Sequence, residues 1–165
     1  MKKYIKPILL ILLGLLALAQ LFHPERNLSN DQTNHIRTKF PIPESVEATL
    51  AVACYDCHSN NTRYPWYANI QPVSAWLAGH IRNGKKKLNF SELATRRIAL
   101  QNHKMEEIVE VIQEGEMPLK SYTLAHRDAV LSEAQKTALI GWAQAVQDSL
   151  QARFPADSLQ MRRRG

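Results

Sequence analysis

The chain has 165 residues and a formal net charge of +6 at pH 7. Six positive charges lie at its ends, in Lys2, Lys3, Lys6 and the run Arg162 to Arg164, so the rest of the chain is close to neutral. The basic composition therefore gives no support for nucleic-acid binding, and the length leaves room for one small core.

Residues 1–22 have the pattern of an export signal or membrane anchor. Three lysines precede an apolar run from Ile8 to Leu18. The stretch Ile5 to Phe22 just reaches the length of about 17–25 residues that spans a bilayer. Ala17-Leu18-Ala19 resembles a cleavage site, so an uncleaved transmembrane anchor and a cleaved signal peptide are both open. Either one places the domain on the periplasmic side of the cytoplasmic membrane.

The pattern after this segment is helical. Residues 23–43 are predicted as a linker, 44–154 as one domain and 155–165 as a basic tail. Helices are predicted over Glu44 to Ala53, Pro72 to Gly84, Ser91 to Leu100, Asn102 to Gly115 and Ser132 to Leu150. No segment shows sustained alternation with period two, so the fold class is all-α.

Cys54-Tyr55-Asp56-Cys57-His58 is the most specific motif in the chain, because Cys-x-x-Cys-His is typical of c-type haem attachment. Two thiols one helical turn apart can each form a thioether to a haem vinyl group, and His58 then supplies the proximal iron ligand. The alternatives are a disulfide or a redox-active dithiol. Because these are the only cysteines, the motif predicts a single haem.

A second iron ligand is expected on the far side of the haem. Met117 is the leading candidate, because it lies in a stiff loop before Pro118 and after the helix stop at Gly115. His80 is the alternative, since it follows Trp76 by one turn on the second predicted helix. A short helix with the motif, several connecting helices and a closing amphipathic helix together indicate a cytochrome c-like domain.

The aromatic loop after the motif is expected to contact the porphyrin. Arg63, Tyr64 and Trp66 are predicted to pack on its edge or to donate hydrogen bonds to its propionates, although an ordinary aromatic core explains them equally well. A carbonyl group near Pro65 or Pro72 is expected to accept a hydrogen bond from His58 Nδ1.

These residues resemble the bacterial haem-binding domain family of small, exported, single-haem proteins. The resemblance rests on Cys54-Tyr55-Asp56-Cys57-His58-Ser59-Asn60, Tyr64-Pro65-Trp66-Tyr67, Ile70-Gln71-Pro72-Val73, Leu88-Asn89-Phe90-Ser91, Met117-Pro118, Tyr122, His126 and Leu131-Ser132. It implies covalent haem c with iron between His58 and Met117. Ala75 departs from the family pattern, in which a second bulky aromatic residue is expected beside Trp76.

The predicted function is single-electron transfer between redox partner proteins, without enzymatic catalysis, because an iron with two protein ligands has no site for a substrate. The alternative is a haem-based sensor, or a haem protein that reacts with peroxide, in which Met117 is absent or displaceable. A thiol oxidoreductase is disfavoured because no strand leads into the motif. Structural zinc is disfavoured because no His-x₃₋₅-His pair follows the cysteines.

Overall fold

The computed structural model describes residues 2–161, with side chains from residue 4 onward, so the arginines of the predicted basic tail and the side chains of Lys2 and Lys3 lie outside the described residues. Within this range the protein is all-helical, which confirms the predicted fold class. Its α-helices are α1 (Lys2–Ala19), α2 (Glu44–Ala53), α3 (Tyr55–His58), α4 (Val73–Lys87), α5 (Ile98–Gln113), α6 (Lys120–Ala125), α7 (Glu133–Arg153) and α8 (Ala156–Leu159). Four 3₁₀-helices connect them: Ile36–Thr38, Trp66–Asn69, Leu93–Thr95 and Arg127–Ala129.

The hydrophobic core lies where α5 and α2 pack against the long helix α7. α7 begins with the predicted capping box, in which the side chains of Ser132 and Gln135 each bond the other's backbone N–H. Its buried face includes Trp142, whose indole N–H donates to the Pro41 carbonyl oxygen at 3.2 Å. This contact attaches the segment before α2 to the closing helix.

The predicted boundaries between residues 91 and 115 need correction. The helix expected over Ser91 to Leu100 is only the 3₁₀-helix Leu93–Thr95, and α5 begins at Ile98. Asn102 lies inside α5 and does not cap it. The predicted stop at Gly115 is confirmed, whereas α4 continues past its predicted end at Gly84 to Lys87.

Helix α1 carries exposed apolar side chains, such as Leu10 and Ile11. Among residues 2–161, no helix meets the length and apolarity needed to cross a membrane, so the predicted transmembrane helix is not supported. The segment after α1 is attached to the domain. Asn27 and Asn30 bond the loop after α3, where the Thr62 N–H donates to Asn27 O and the Asn30 N–H donates to Asn60 O, both at 3.0 Å.

His35 is a buried histidine at the start of the 3₁₀-helix Ile36–Thr38. Its Nδ1 accepts the Arg37 N–H at 3.1 Å, and its ring makes an edge contact with Tyr55. Burial lowers the pKa of His35 to about 4, and the neighbouring Arg37 charge acts in the same direction. His35 is therefore neutral in the folded protein at neutral pH.

We expect the domain to lose stability as the pH falls from 6.5 towards about 4. In this window His35 takes up a proton in the unfolded chain but not in the folded one, so protonation favours unfolding by up to about 3 kcal/mol. Denaturant unfolding at a series of pH values measures the loss. The variant His35→Asn keeps a hydrogen-bond acceptor for the Arg37 N–H, but the asparagine side chain does not take up a proton. Its loss of unfolding free energy between pH 6.5 and 4 should therefore be smaller. An equal loss would assign the acid sensitivity to other groups.

Candidate functional site

The cysteine motif lies at the junction of α2 and α3. Cys54 ends α2, with its N–H donating to Leu50 O at 2.9 Å, and it also begins α3. The His58 N–H donates to Cys54 O at 3.0 Å, which closes one helical turn over the motif. The local hydrogen bonding therefore produces the single turn that the cysteine spacing predicts.

A cavity of about 390 Å³ lies beside this turn, and we call it the main cavity because it contains His58; a larger cavity of about 560 Å³ lies between residues 24–29 and α4, away from the motif histidine. Cys54, His58 and Met117 all line the main cavity, although Met117 lies 59 positions after His58 in the sequence. Proteins bury small-molecule ligands in cavities of roughly 300–1,000 Å³, so its size suits a cofactor. Most of its remaining lining is apolar and comes from α2, α5, α7 and the segment after α4: Leu50, Ala53, Leu88, Phe90, Ile108, Val111, Ile112 and Leu139.

The orientation of the His58 ring is set by a main-chain carbonyl group. Its Nδ1 lies 3.0 Å from Leu88 O, and because a carbonyl oxygen only accepts, Nδ1 carries the proton. Burial lowers the pKa of His58, so the imidazole is neutral and its Nε2 lone pair is free to bind a metal. The expected second-sphere carbonyl thus exists, but it belongs to Leu88 and not to a residue near Pro65 or Pro72.

Met117 is positioned by the way α5 ends. Gly115 has a φ of +69°, its N–H donates to Ile112 O, and the Glu116 N–H donates to Val111 O at 3.0 Å. These two bonds form a Schellman motif, which turns the chain back along the helix end. The Met117 N–H also donates to Val111 O, at 3.3 Å, so the methionine is fixed to α5 at the edge of the main cavity.

The two cysteines are free thiols that face different cavities. Cys54 lines the main cavity, while Cys57 lines a second cavity of about 80 Å³. Burial raises the pKa of Cys54 to about 12, with a contribution from Cys57, and raises that of Cys57 to about 11, with a contribution from Asp56. Both thiols are therefore protonated at neutral pH.

A close approach between α3 and α4 holds the motif in place. A Cβ atom at Gly84 would lie 2.5 Å from the Cys57 carbonyl oxygen and 3.1 Å from Cys57 Cβ. Glycine is therefore required here by the contact with α3. Sequence analysis interpreted Gly84 only as the end of a helix, because a contact over 27 positions leaves no local pattern.

The second cavity contains a polar network centred on Asp56, the third residue of the motif. The Asp56 carboxylate is buried and accepts hydrogen bonds from the Arg63 backbone N–H at 2.9 Å and the Tyr122 hydroxyl at 2.7 Å. The Arg63 guanidinium also pairs with it at 3.2 Å. Beside this network, the Tyr67 hydroxyl lies 2.8 Å from His126 Nε2. These contacts join α3 to the aromatic loop and to α6.

We expect Tyr122→Phe to lower the free energy of unfolding by about 1.5–3 kcal/mol, because it removes a hydrogen bond to a buried carboxylate. Tyr67→Phe is the matched control, because it removes a hydroxyl from the same cavity. The Tyr67 hydroxyl bonds the His126 ring and not a carboxylate, so we expect a smaller loss of unfolding free energy, about 0.5–1.5 kcal/mol. Denaturant unfolding compares the two variants. Equal losses would show that the Asp56 charge adds nothing to the network.

The side chains expected to contact the porphyrin, Arg63, Tyr64 and Trp66, do not line the main cavity and have other surroundings. Arg63 is held by the buried Asp56 carboxylate. The Tyr64 hydroxyl accepts the Asn27 N–H at 2.8 Å, and Trp66 is exposed to solvent. The prediction that these three side chains contact the porphyrin therefore has no support in this arrangement.

His80, the alternative distal ligand, also lies outside the main cavity. Its Nδ1 is 3.0 Å from Trp76 O, its ring centroid is 4.2 Å from that of Trp76, and it lines the second cavity. The structure thus brings Met117 rather than His80 into the cavity that contains His58.

Five charged residues also line the main cavity, and sequence analysis did not identify them. Lys87 and Lys104 supply positive charge, and both contribute to lowering the pKa of His58. Lys104 is mostly buried and pairs with Glu107 at 2.5 Å, and the other carboxylates are Glu110 and Glu116. Because Lys104 falls one position before Met105 on α5, the sequence predicts only an exposed helix face there.

The donor set of the main cavity fits an iron porphyrin. A neutral imidazole and a methionine thioether are axial ligands that iron accepts in haem proteins, and apolar walls suit the flat macrocycle. Cys54 lines this cavity and suits one vinyl group, whereas Cys57 lines the second cavity and reaches the other vinyl group only after its side chain turns towards the main cavity. The two lysines suit two propionates. The fit rests on residue chemistry and on the shared cavity.

Comparison with known proteins agrees with this assignment. Residues 14–145 match a family model described as a haem-binding domain. The matched range contains every residue that lines the main cavity. No curated protein and no solved structure gave a match.

Proposed function

Since the chain belongs to the haem-binding domain family, we propose that Cys54 and Cys57 bind its haem covalently and that the protein is an electron carrier, not an enzyme. One observation carries this proposal: His58, with its Nε2 free, shares a cavity with Met117. When bound, the haem iron supplies one-electron chemistry. His58 and Met117 would hold the iron as its two protein ligands, and such an iron would have no open position for a substrate.

The residues of the cavity have separate roles in this proposal. Cys54 and Cys57 would hold the haem by thioethers, in which each sulfur would add to one carbon of a vinyl group and the thiol proton to the other, so attachment would need no oxidant. The Leu88 carbonyl group fixes the His58 ring and keeps Nε2 deprotonated. The apolar lining from α2, α5 and α7 excludes water from the bound group, which with Met117 ligation favours a raised midpoint potential. Lys87 and Lys104 would hold the propionates.

We further propose that the domain works on the periplasmic side of the cytoplasmic membrane, where redox partner proteins exchange electrons with it. The lysines before the apolar run of α1 have the arrangement of an export signal. Covalent haem attachment normally takes place after export, so the two proposals support each other.

Expression of the full chain with a haem c maturation system tests the proposal. We expect haem that stays attached on a denaturing gel, and a low-spin absorption spectrum in both oxidation states. Cys54→Ala and Cys57→Ala should each leave a single thioether and shift the pyridine haemochrome band, and the double variant should lose the stained band. Covalent haem with a high-spin spectrum and ready CO binding would favour the sensor or peroxide function. Absence of covalent haem in the unmodified chain would refute the proposal.

A further inference from the structure

Exposed apolar side chains cluster where α1 joins the helical domain. Leu21 and Phe22 follow α1 and are 76% and 75% exposed. Trp66 is 75% exposed, Trp76 is 51% exposed and Ile70 is 44% exposed. We call these five residues the root patch. Single exposed apolar residues are ordinary, but clusters of large ones mark interaction surfaces.

The two parts of the root patch are joined by hydrogen bonds and not by a loose linker. The Gln20 side chain bonds the main chain of Gln71, accepting its N–H at 2.9 Å and donating to its carbonyl oxygen at 3.3 Å. The buried Gln71 side chain donates to Phe22 O at 2.5 Å. His23 Nε2 lies 3.3 Å from Asn69 O. The end of α1 is therefore attached beside the 3₁₀-helix Trp66–Asn69.

The charge pattern around the root patch favours a lipid surface as its partner. Residues 1–24 and 64–82 contain no aspartate or glutamate. Glu25 lies beside this face, in a small pocket with Tyr64 and Ala68, but it is exposed and can stay in contact with water, so docking in headgroups need not bury a carboxylate. Tryptophan and tyrosine are enriched at membrane interfaces, because their rings are apolar with one polar atom. The exposed apolar side chains of α1 continue directly into this face.

We propose that the root patch lies in the headgroup region of a phospholipid bilayer and docks the domain on the membrane surface. Docking through this patch would give the main cavity a fixed direction relative to the bilayer. This inference rests on the proposed membrane location but not on the haem chemistry.

The test uses the full chain, expressed with a haem c maturation system, in phosphatidylcholine vesicles that contain a phosphatidylcholine with a photoactivatable diazirine in its acyl chain. After illumination, trypsin releases the peptide of residues 64–82, which carries Trp66, Ile70 and Trp76, and the peptide of residues 128–136, which carries the exposed Val130. Mass spectrometry then compares their lipid adducts. We expect the adducts to concentrate on residues 64–82.

Two variants measure how much the root patch contributes to membrane docking. One is Trp66→Ser, and the other combines it with Ile70→Ser and Trp76→Ser. Loss of each tryptophan should lower the ratio of docked to undocked protein roughly tenfold, given the free energy of burying a large apolar side chain. Val130→Ser is the matched control and should leave the labelling of residues 64–82 unchanged. Because Trp66 is exposed, its single variant keeps the test valid if the triple variant does not fold.

Equal labelling of the two peptides would overturn the inference, as would unchanged labelling in Trp66→Ser. Cross-links between two protein copies through residues 64–82, without lipid adducts, would assign the face to a second copy of the chain and overturn it as well. Haem staining of the same samples reports the proposed function separately, so failure of one proposal is distinguishable from failure of the other.

Discussion

Replacing Gly84 by alanine is expected to cost about 1–3 kcal/mol of folding free energy, because it inserts a methyl group into a closed contact. The new Cβ would lie 2.5 Å from the Cys57 carbonyl oxygen, which belongs to the backbone and cannot rotate away. Helices α3 and α4 must separate, and that movement displaces Cys57 and the neighbouring His58. We therefore expect a lower yield of haem-loaded protein together with the lower stability.

Gly79→Ala is the matched control on the same helix. A Cβ at Gly79 meets no atom within 4 Å, so alanine should stabilise α4 by up to about 1 kcal/mol through its higher helix propensity. Denaturant unfolding gives the stability of both variants, and haem staining gives the loaded fraction. If Gly84→Ala were as stable as Gly79→Ala, the contact between α3 and α4 would not position the motif.

Met117→Leu is expected to change the absorption spectrum of the haem-loaded protein from low spin to high spin. Leucine keeps an apolar side chain at the edge of the main cavity but has no sulfur to donate to iron. We also expect the midpoint potential to fall by on the order of a few hundred millivolts, within the range of about 0.8 V that axial ligands cover. Absorption spectra and a redox titration measure the two effects.

Met105→Leu is the control for loss of a methionine. Met105 is fully buried in α5 and does not line the main cavity, so this volume-conserving change should cost less than about 1.5 kcal/mol and leave the spectrum unchanged. A low-spin spectrum in Met117→Leu would remove Met117 as the distal ligand. The next variant would then be His80→Ala, although His80 lies in the second cavity.

Features that depend on neighbouring residues could be predicted from the sequence alone. The helix Glu44–Ala53 and the capping box at Ser132 are confirmed, since hydrophobic spacing and side-chain caps act within one or two turns. The same holds for the glycine stop at Gly115. Residues 91–102 were predicted wrongly, because serine and asparagine favour caps only when the surrounding chain leaves the helix at that point, and here α5 begins between them.

The cysteine motif, the all-helical class and the family could be recognised from the sequence alone, because each depends on short local patterns. Which side chains surround the motif depends instead on how the helices pack. Leu88 lies 30 positions from the His58 ring that it orients, and Lys104 lies farther still. The aromatic loop is adjacent to the motif in sequence, yet the buried Asp56 carboxylate draws Arg63 away from the main cavity. Proximity in the chain does not determine which way a side chain points, whereas the packing of α3 against α4 and α2 does.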